Sequence, residues 1–120
     1  MIAAPGGGMR YAVLIIGEED DWRALSPAEV DAEMARIYAW LEKWSAKIDE
    51  GGAELDSVKT AKTIRSGVVT DGPYIEAKEV VGGIIFLQTD TIEEAAAIAA
   101  EWPGVESGRT TIEVRPTVLR

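Results

Sequence analysis

The sequence predicts an α+β protein with the ferredoxin-like order β-α-β-β-α-β, in which one antiparallel sheet carries both helices on one face. Residues 9–16 and 80–89 are apolar and rich in β-branched side chains, which is typical of buried strands. Each of these segments is followed by a stretch with helical periodicity. The last segment, 110–118, alternates as a strand does. Two such β-α-β units make a four-stranded sheet.

The first unit opens with the strand over 9–16, which Gly17 ends. The following residues, 17–25, contain a run of four acidic side chains and an isolated Trp22. Neither helical nor strand periodicity is visible there, so we expect a solvated polar loop.

The first predicted helix has a strong start and a long apolar stripe. Ser26 can cap it, Pro27 fits the first turn, and Glu29 completes a capping box. Apolar residues then recur at spacings of four and three, and Gly51-Gly52 is a typical stop signal. We therefore expect a helix that ends at the two glycines and crosses the face of a small sheet.

The second unit contains the remaining elements. Residues 58–65 predict the second strand, and Ser66-Gly67 a turn into a short strand over 68–70. After a loop at Asp71, residues 80–89 predict the most hydrophobic strand. A helix with its apolar face between Ile92 and Trp102 follows, and the strand over 110–118 closes the unit.

Both central strands are apolar on two faces, whereas the helices cover only one face of the predicted sheet. Tyr11 and Val13 alternate with Ala12 and Leu14 in the first of these strands. A second subunit on the open face would bury the remaining apolar side chains. We therefore expect a homodimer.

Length, composition and charge limit the class of protein. At 120 residues the chain predicts a single domain over 9–120, after a flexible glycine-rich lead over 1–8 that lacks the features of a signal peptide. No apolar run is long enough to span a bilayer, so we expect no membrane contact. The net charge of −9 disfavours nucleic acid, and Arg109, Arg115 and Arg120 alternate with acidic residues. An acidic cytoplasmic protein is the expectation.

The absence of cysteine and histidine excludes several kinds of chemistry. A thiolate nucleophile, a zinc ribbon, a Ser-His pair and the usual transition-metal ligands all require one of these residues. Catalysis would have to use carboxylates, lysine, tyrosine, hydroxyls or backbone amides. We expect no cofactor and no metal, because a magnesium ion held by Asp71, Glu76 and Glu79, which is the alternative, would need more fixed oxygen ligands.

The segment from Thr70 to Gly83 is the most informative part of the sequence. Asp71-Gly72-Pro73 predicts a rigid turn directly before an apolar strand, because proline restricts both its own backbone and that of the preceding residue. Asp71 is the candidate general base, with its pKa raised if the dimer partly buries it. The alternative is that its carboxylate accepts backbone N–H bonds and shapes the turn.

Five further residues are candidates for substrate binding: Arg65, Tyr74, Glu76, Lys78 and Glu79. Arg65 is suited to an anionic substrate, or else it pairs with Asp71 or Glu79. Tyr74 either donates a hydrogen bond or anchors the loop with its ring. Lys78 and Glu79 are neighbours, so in a strand only one of them faces a shared cavity, with Glu76 on the same side as Lys78.

These segments together resemble the DGPF branch of the YCII-related superfamily. The resemblance lies in Thr63-Ile64-Arg65, in Val69-Thr70-Asp71-Gly72-Pro73-Tyr74, in Glu76 with Lys78-Glu79, and in Gly82-Gly83. Val114-Arg115-Pro116 is similar to the usual family ending, so the likeness spans about residues 9–118. Tyr74 takes the place of the phenylalanine usual in this branch.

The resemblance implies a dimeric α+β barrel formed by two ferredoxin-like protomers. Many DGPF proteins have no assigned activity, and some are linked by gene context to alternative sigma factors. Other members of the superfamily resemble small-molecule enzymes with a His-Asp pair, including dehydrochlorinase-like proteins, but this chain has no histidine. The sequence therefore favours a protein that binds a small polar or anionic molecule in a dimer cleft near Asp71. The alternatives are a carboxylate-based enzyme of proton transfer or elimination, and a regulatory module.

Overall fold

The computed structural model describes residues 9–119, which form six strands and three helices. In chain order these are β1 (Met9–Glu18), α1 (Glu19–Arg23), α2 (Pro27–Lys43), β2 (Ile48–Glu54), β3 (Lys62–Arg65), β4 (Val68–Asp71), β5 (Glu79–Thr89), α3 (Ile92–Ala99) and β6 (Thr110–Pro116). The predicted lead over residues 1–8 lies outside the described residues.

Four strands form an antiparallel sheet in the order β2-β5-β1-β6, which is the ferredoxin-like arrangement. The central pair is β1 and β5, in which Tyr11 lies opposite Leu87 and Val13 opposite Ile85. The α+β class and the ferredoxin-like sheet are thus confirmed.

The core lies between the sheet and the helices. Tyr11, Val13 and Leu87 point from the central strands toward Ala95, Ile98 and Ala99 of α3 and toward Trp40 of α2, and all seven are buried. Trp40 donates from Nε1 to the Ile98 carbonyl oxygen at 3.0 Å, and its ring meets the edge of Trp102 at a centroid distance of 5.0 Å. Because one core contains residues of α2 and of α3, both helices pack on the same face of the sheet.

Helix α2 begins as predicted but ends earlier. The capping box is present, since the Glu29 amide donates to Ser26 Oγ at 3.2 Å and the Ser26 amide donates to Glu29 Oε1 at 3.0 Å. The expectation that the helix continues to Gly51-Gly52 is wrong, because it ends at Lys43 and residues 48–54 form β2.

Gly51 and Gly52 lie within strand β2 and do not end a helix. Gly51 has a φ of +104°, which favours glycine, and β2 and β5 are out of regular register between Asp49 and Ala53. A Cβ atom at Gly52 would lie only 2.6 Å from the Ile84 carbonyl oxygen. This close approach of the two backbones explains a Gly-Gly pair inside a strand.

Residues 58–65, predicted as the second strand of the sheet, are also placed differently. A single 3-10 turn covers Val58–Thr60, and β3 pairs with β4 in a separate two-stranded hairpin. The predicted turn at Ser66-Gly67 is confirmed, with positive φ at both residues. The edge position beside β5 belongs to β2, so β3 is left outside the main sheet.

The segment predicted as a polar loop, 17–25, contains the short helix α1. Its three acidic residues lie in the first turn and Arg23 in the last, an order that suits the helix dipole. Arg23 also forms salt bridges with Glu19 at 3.0 Å and with Asp20 at 3.3 Å, which stabilise a helix too short to persist alone.

The sheet face opposite the helices remains apolar at its centre. By the alternation of side chains along the strands, Ala12 and Leu14 of β1 point to this face together with Ile84 and Phe86 of β5. Arg10 lies over the Phe86 ring at 3.7 Å. We call these apolar side chains, with Ile16, the open face.

Candidate functional site

The Asp71 loop lies at the base of the β3-β4 hairpin. Asp71 is opposite Lys62 in the hairpin ladder, and their side chains form a salt bridge. Both are strongly exposed, with 85% of the Asp71 side chain and 63% of the Lys62 side chain accessible. The carboxylate is therefore positioned by a cross-strand partner at the surface of the monomer.

Gly72 closes the loop through its backbone. Its φ of +93° is in the region that favours glycine, its amide donates to the Ala61 carbonyl oxygen at 2.7 Å, and its own carbonyl accepts from Thr63 Oγ1 at 2.8 Å. These bonds hold the two ends of the hairpin together. The turn geometry thus depends on Gly72 and on the Thr63 hydroxyl.

The structure brings Arg65 and Tyr74 together. The Arg65 guanidinium carbon lies 5.5 Å from the centre of the Tyr74 ring, a cation–π distance, and both side chains are exposed. Arg65 is opposite Val68 at the turn end of the hairpin, whereas Asp71 is at its base. Among the described residues, the contact of Arg65 is therefore with the tyrosine rather than with Asp71 or Glu79.

The other three candidate residues follow the loop. Glu76 and Lys78 lie in irregular chain, and Glu79 is the first residue of β5, opposite Glu18 of β1. All three are exposed. The six predicted site residues thus lie in the hairpin, the following loop and the start of β5, and their roles stay predictions.

The hairpin region exposes more apolar surface than a solvated loop normally does. Ile64 is 71% accessible and Ile75 66%, and Val68, Val69 and Tyr74 are similarly exposed. We call these five side chains the hairpin surface. Ile64 and Val69 are opposite each other in the hairpin ladder and share one of its faces, whereas Val68 points to the other face. Exposed apolar side chains of this kind are suited to contact with another molecule.

A cavity of about 1000 Å³ lies between α2 and the sheet. Met34, Ile37 and Leu41 of α2 form one wall, and Ile15 and Ile85 of the central strands form the other. The lining residues do not include the six predicted site residues, although the cavity reaches the chain that leads into the hairpin. Sequence reasoning did not identify this cavity.

The most buried polar group of the cavity is an ion pair. Glu33 of α2 is only 8% accessible, and its Oε2 accepts a hydrogen bond from Nη2 of Arg109 at 2.7 Å. Arg36 lies 3.6 Å from the same oxygen. The pair joins α2 to the segment before β6, and it supplies a polar anchor in a mainly apolar wall.

One rim of the cavity is held by Glu19 of α1. Its Oε1 accepts from the Val58 amide at 2.7 Å, and its Oε2 accepts from Ser57 Oγ at 2.9 Å. The Val58 amide, followed by the Ser57 hydroxyl, holds the pKa of Glu19 below its ordinary value. The acidic run therefore has a structural role that its polarity alone did not indicate.

Trp22 lies on the same rim and is partly exposed. An isolated tryptophan within an acidic run was the signal in the sequence that a site is near, because a large aromatic ring rarely remains in a fully solvated loop. Glu33 gave no such signal, since a charged residue between apolar helix positions is typical of an exposed helix face.

Two kinds of site are not found among residues 9–119. No cluster of three acidic side chains in this range has the arrangement of metal ligands. None of the helices in the described chain has the length and apolar character needed to cross a membrane.

Comparison with known proteins identifies the family. The sequence profile of the YCII-related domain matches residues 9–118. The chain is also 29% identical over 116 residues to an uncharacterised protein of Rhizobium meliloti (strain 1021), and this match covers 92% of the present chain and 94% of the relative. The matched range coincides with the complete ferredoxin-like sheet and the inserted hairpin. The protein belongs to the family of YCII-related domains.

Proposed function

We propose that this YCII-related protein binds a small organic molecule in the cavity between α2 and the sheet. The observation that carries the proposal is the cavity itself, whose volume of about 1000 Å³ is at the upper end of the range for small-molecule pockets. Its apolar walls would exclude water from a ligand, and a few polar groups would fix its orientation.

The Glu33–Arg109 pair is the proposed anchor within the cavity. Arg109 Nη2 at 2.7 Å and Arg36 Nη1 at 3.6 Å both contact Glu33 Oε2 and not the second carboxylate oxygen. That oxygen is suited to accept a hydrogen bond from a hydroxyl or an amino group of a ligand. Binding without an assigned reaction is the function that these contacts support best.

Blocking the cavity tests the proposal. Ile37→Trp places a large ring in the cavity wall, whereas Ala39→Trp places the same ring on an exposed position of the same helix. We expect Nile red, a neutral apolar dye, to bind the wild type and Ala39→Trp, and to bind Ile37→Trp at least about tenfold more weakly. Circular dichroism confirms that both variants are folded. Equal binding of the dye to all three proteins would contradict the proposal.

A homodimer is the second part of the proposal. The open face, whose side chains are half-buried, and the hairpin surface, whose side chains are exposed, both support it, because accessible apolar area favours burial against another copy. In such a dimer the Asp71 loop would border a cleft between protomers. Arg65, Tyr74 and Lys78 would then contact a small polar or anionic molecule there.

Two alternative functions would involve the Asp71 loop. Asp71 would act as the base in a proton transfer or an elimination if the dimer removes it from water, since burial raises the pKa of a carboxyl group. A regulatory module associated with alternative sigma factors would instead use the hairpin surface for contact with another protein. The exposed Lys62–Asp71 pair of the monomer favours binding or contact over catalysis.

A further inference from the structure

We infer that the cavity between α2 and the sheet selects organic cations, namely amines with an apolar body, over anions of the same size. This inference rests on the proposed small-molecule function, and it names the chemical class of the ligand. Three features of the cavity carry it: the balance of charges, the free aromatic rings, and the engagement of both arginines.

Negative charge dominates the lining of the cavity. Eight acidic residues and two arginines contribute to the lining, although the Asp49 carboxylate is paired with Arg10. Five of the acidic residues form no ion pair within the described chain: Glu18, Asp21, Glu50, Glu54 and Asp56. Glu18 and Asp21 lie on either side of Glu19 at the rim. A concave site lined by one sign of charge concentrates small ions of the opposite sign.

Neither arginine of the lining is free to hold an anion. Arg23 is engaged by Glu19 and Asp20, and Arg109 is engaged by Glu33 at 2.7 Å. A ligand carboxylate would have to displace Glu33 from Arg109. Because Glu33 is buried, the displacement would leave its carboxylate with only the longer contact to Arg36 at 3.6 Å, which is unfavourable.

Aromatic rings at the cavity are available to a cation. Trp22 and Tyr38 contribute exposed rings to the lining, whereas the third ring, that of Trp102, already packs against Trp40. The cations that stack on rings within residues 9–119 do so elsewhere, on Phe86, Trp44 and Tyr74. An ammonium group over an indole or phenol face is stabilised by the ring quadrupole, most strongly over tryptophan.

A matched series of three ligands tests the inference: phenethylamine, 2-phenylethanol and 3-phenylpropanoate, which share a phenylethyl body and differ in charge. Isothermal titration calorimetry at pH 7 measures the Kd of each for the full-length protein. We expect the amine to bind about tenfold more tightly than the alcohol, and the carboxylate to bind more weakly than the alcohol. Raising the salt concentration from about 0.05 M to about 0.5 M should reduce the advantage of the amine.

A double variant tests whether the rim carboxylates contribute to the preference. Glu18→Gln with Asp21→Asn removes two of the five lining carboxylates that form no ion pair within the described chain, so the amine should lose part of its advantage while the alcohol binds as before. Asp31→Asn, an exposed change on α2 away from the lining, is the matched control and should bind the amine as the wild type does.

The outcomes separate the inference from the function on which it rests. Carboxylate binding as tight as that of the amine overturns the inference and leaves the cavity as a binding site. A second result also overturns the inference but retains the binding site. In that result none of the three ligands binds, while Nile red still binds the wild type more tightly than Ile37→Trp. If Nile red is insensitive to Ile37→Trp, the proposed function itself is overturned.

Discussion

Asp71 is the candidate general base predicted from the sequence, and its exposed position limits the roles that its carboxylate can have in the monomer. Its carboxylate faces Lys62 at the surface, and no described residue covers the pair. Ion pairs between exposed side chains contribute about 0–1 kcal/mol to stability, because water and salt screen them. The effect of Asp71 on function and its effect on folding can therefore be measured separately.

We expect Asp71→Asn to change the free energy of unfolding by less than about 0.5 kcal/mol, as measured by urea denaturation. A role as a base in a dimer cleft predicts the same normal fold together with lost turnover. A loss of more than about 1 kcal/mol would instead mean that the carboxylate shapes the turn. Lys62→Met, which removes only the partner, should match Asp71→Asn in stability.

Glu19 predicts a dependence of stability on pH. The Val58 amide and the Ser57 hydroxyl lower its pKa in the folded state relative to the unfolded chain. Its contribution is therefore complete above the ordinary glutamate pKa of 4.5 and is lost as the pH falls through the lower folded value.

Glu19→Gln should accordingly reduce stability by about 1 kcal/mol at pH 7 and should lose less stability than the wild type below pH 4.5. Thermal melts at several pH values measure both effects. Ser57→Ala removes one of the two bonds and should reproduce part of the change at pH 7. Parallel pH profiles for Glu19→Gln and the wild type would contradict the assignment.

At the scale of elements, the start of α2 was predictable and its end was not. Ser26, Pro27 and Glu29 specify the N-terminus locally, because each acts within one turn. Trp44 and Ile48 continue the apolar spacing of the helix, so the pattern alone extends it too far. Ile48 instead pairs with Leu87 of β5, a distant partner along the chain that no local pattern reveals.

The same reasoning separates the two candidate sites. The Asp71 loop is a continuous segment, so its turn residues and charges are visible in the sequence. The cavity joins Glu33 to Arg109 across 76 positions, and only the folded chain brings them into contact. The turn residues of the hairpin could be recognised from neighbouring positions in the sequence. The cavity could not, because it forms only when α2 packs against the sheet.

Gly72 offers a test of the hairpin as an element. Its positive φ and open surroundings mean that alanine would strain the backbone without a steric clash. We expect Gly72→Ala to cost about 1 kcal/mol in the free energy of unfolding or to loosen the hairpin, as measured by hydrogen exchange at residues 62–71.

Gly82→Ala is the matched control for this experiment, because Gly82 also has open surroundings but has no positive φ. It should leave exchange in the hairpin unchanged. Equal protection of the hairpin amides in the wild type and in Gly72→Ala would show that the loop does not depend on this backbone conformation.

At the scale of the whole molecule, two apolar surfaces are at least partly accessible to solvent in the described chain: the open face and the hairpin surface. The two belong to different parts of the chain, since the first lies on the central strands and the second on the hairpin and its loop. A homodimer that buries either surface would gain the hydrophobic free energy of several side chains.

We expect light scattering at micromolar protein to give twice the chain mass of 12.9 kDa. Leu14→Asp on the open face and Ile64→Asp on the hairpin surface each introduce a charge, and at least one of them should shift the protein to the monomer. Ile92→Asp, an exposed change at the start of α3, is the control and should remain dimeric. A wild-type mass of 12.9 kDa would contradict the dimer.

The hydrogen bond between Gly72 and Ala61 joins the two ends of the β3-β4 hairpin where it meets the rest of the chain. The Gly72 amide nitrogen and the Ala61 carbonyl oxygen are only 2.7 Å apart, so the hairpin between them begins and ends at nearly the same point. A hairpin of different length, inserted between Ala61 and Gly72, would leave the positions of β2 and β5 unchanged. We therefore expect the main sheet to tolerate a hairpin of another length at this point.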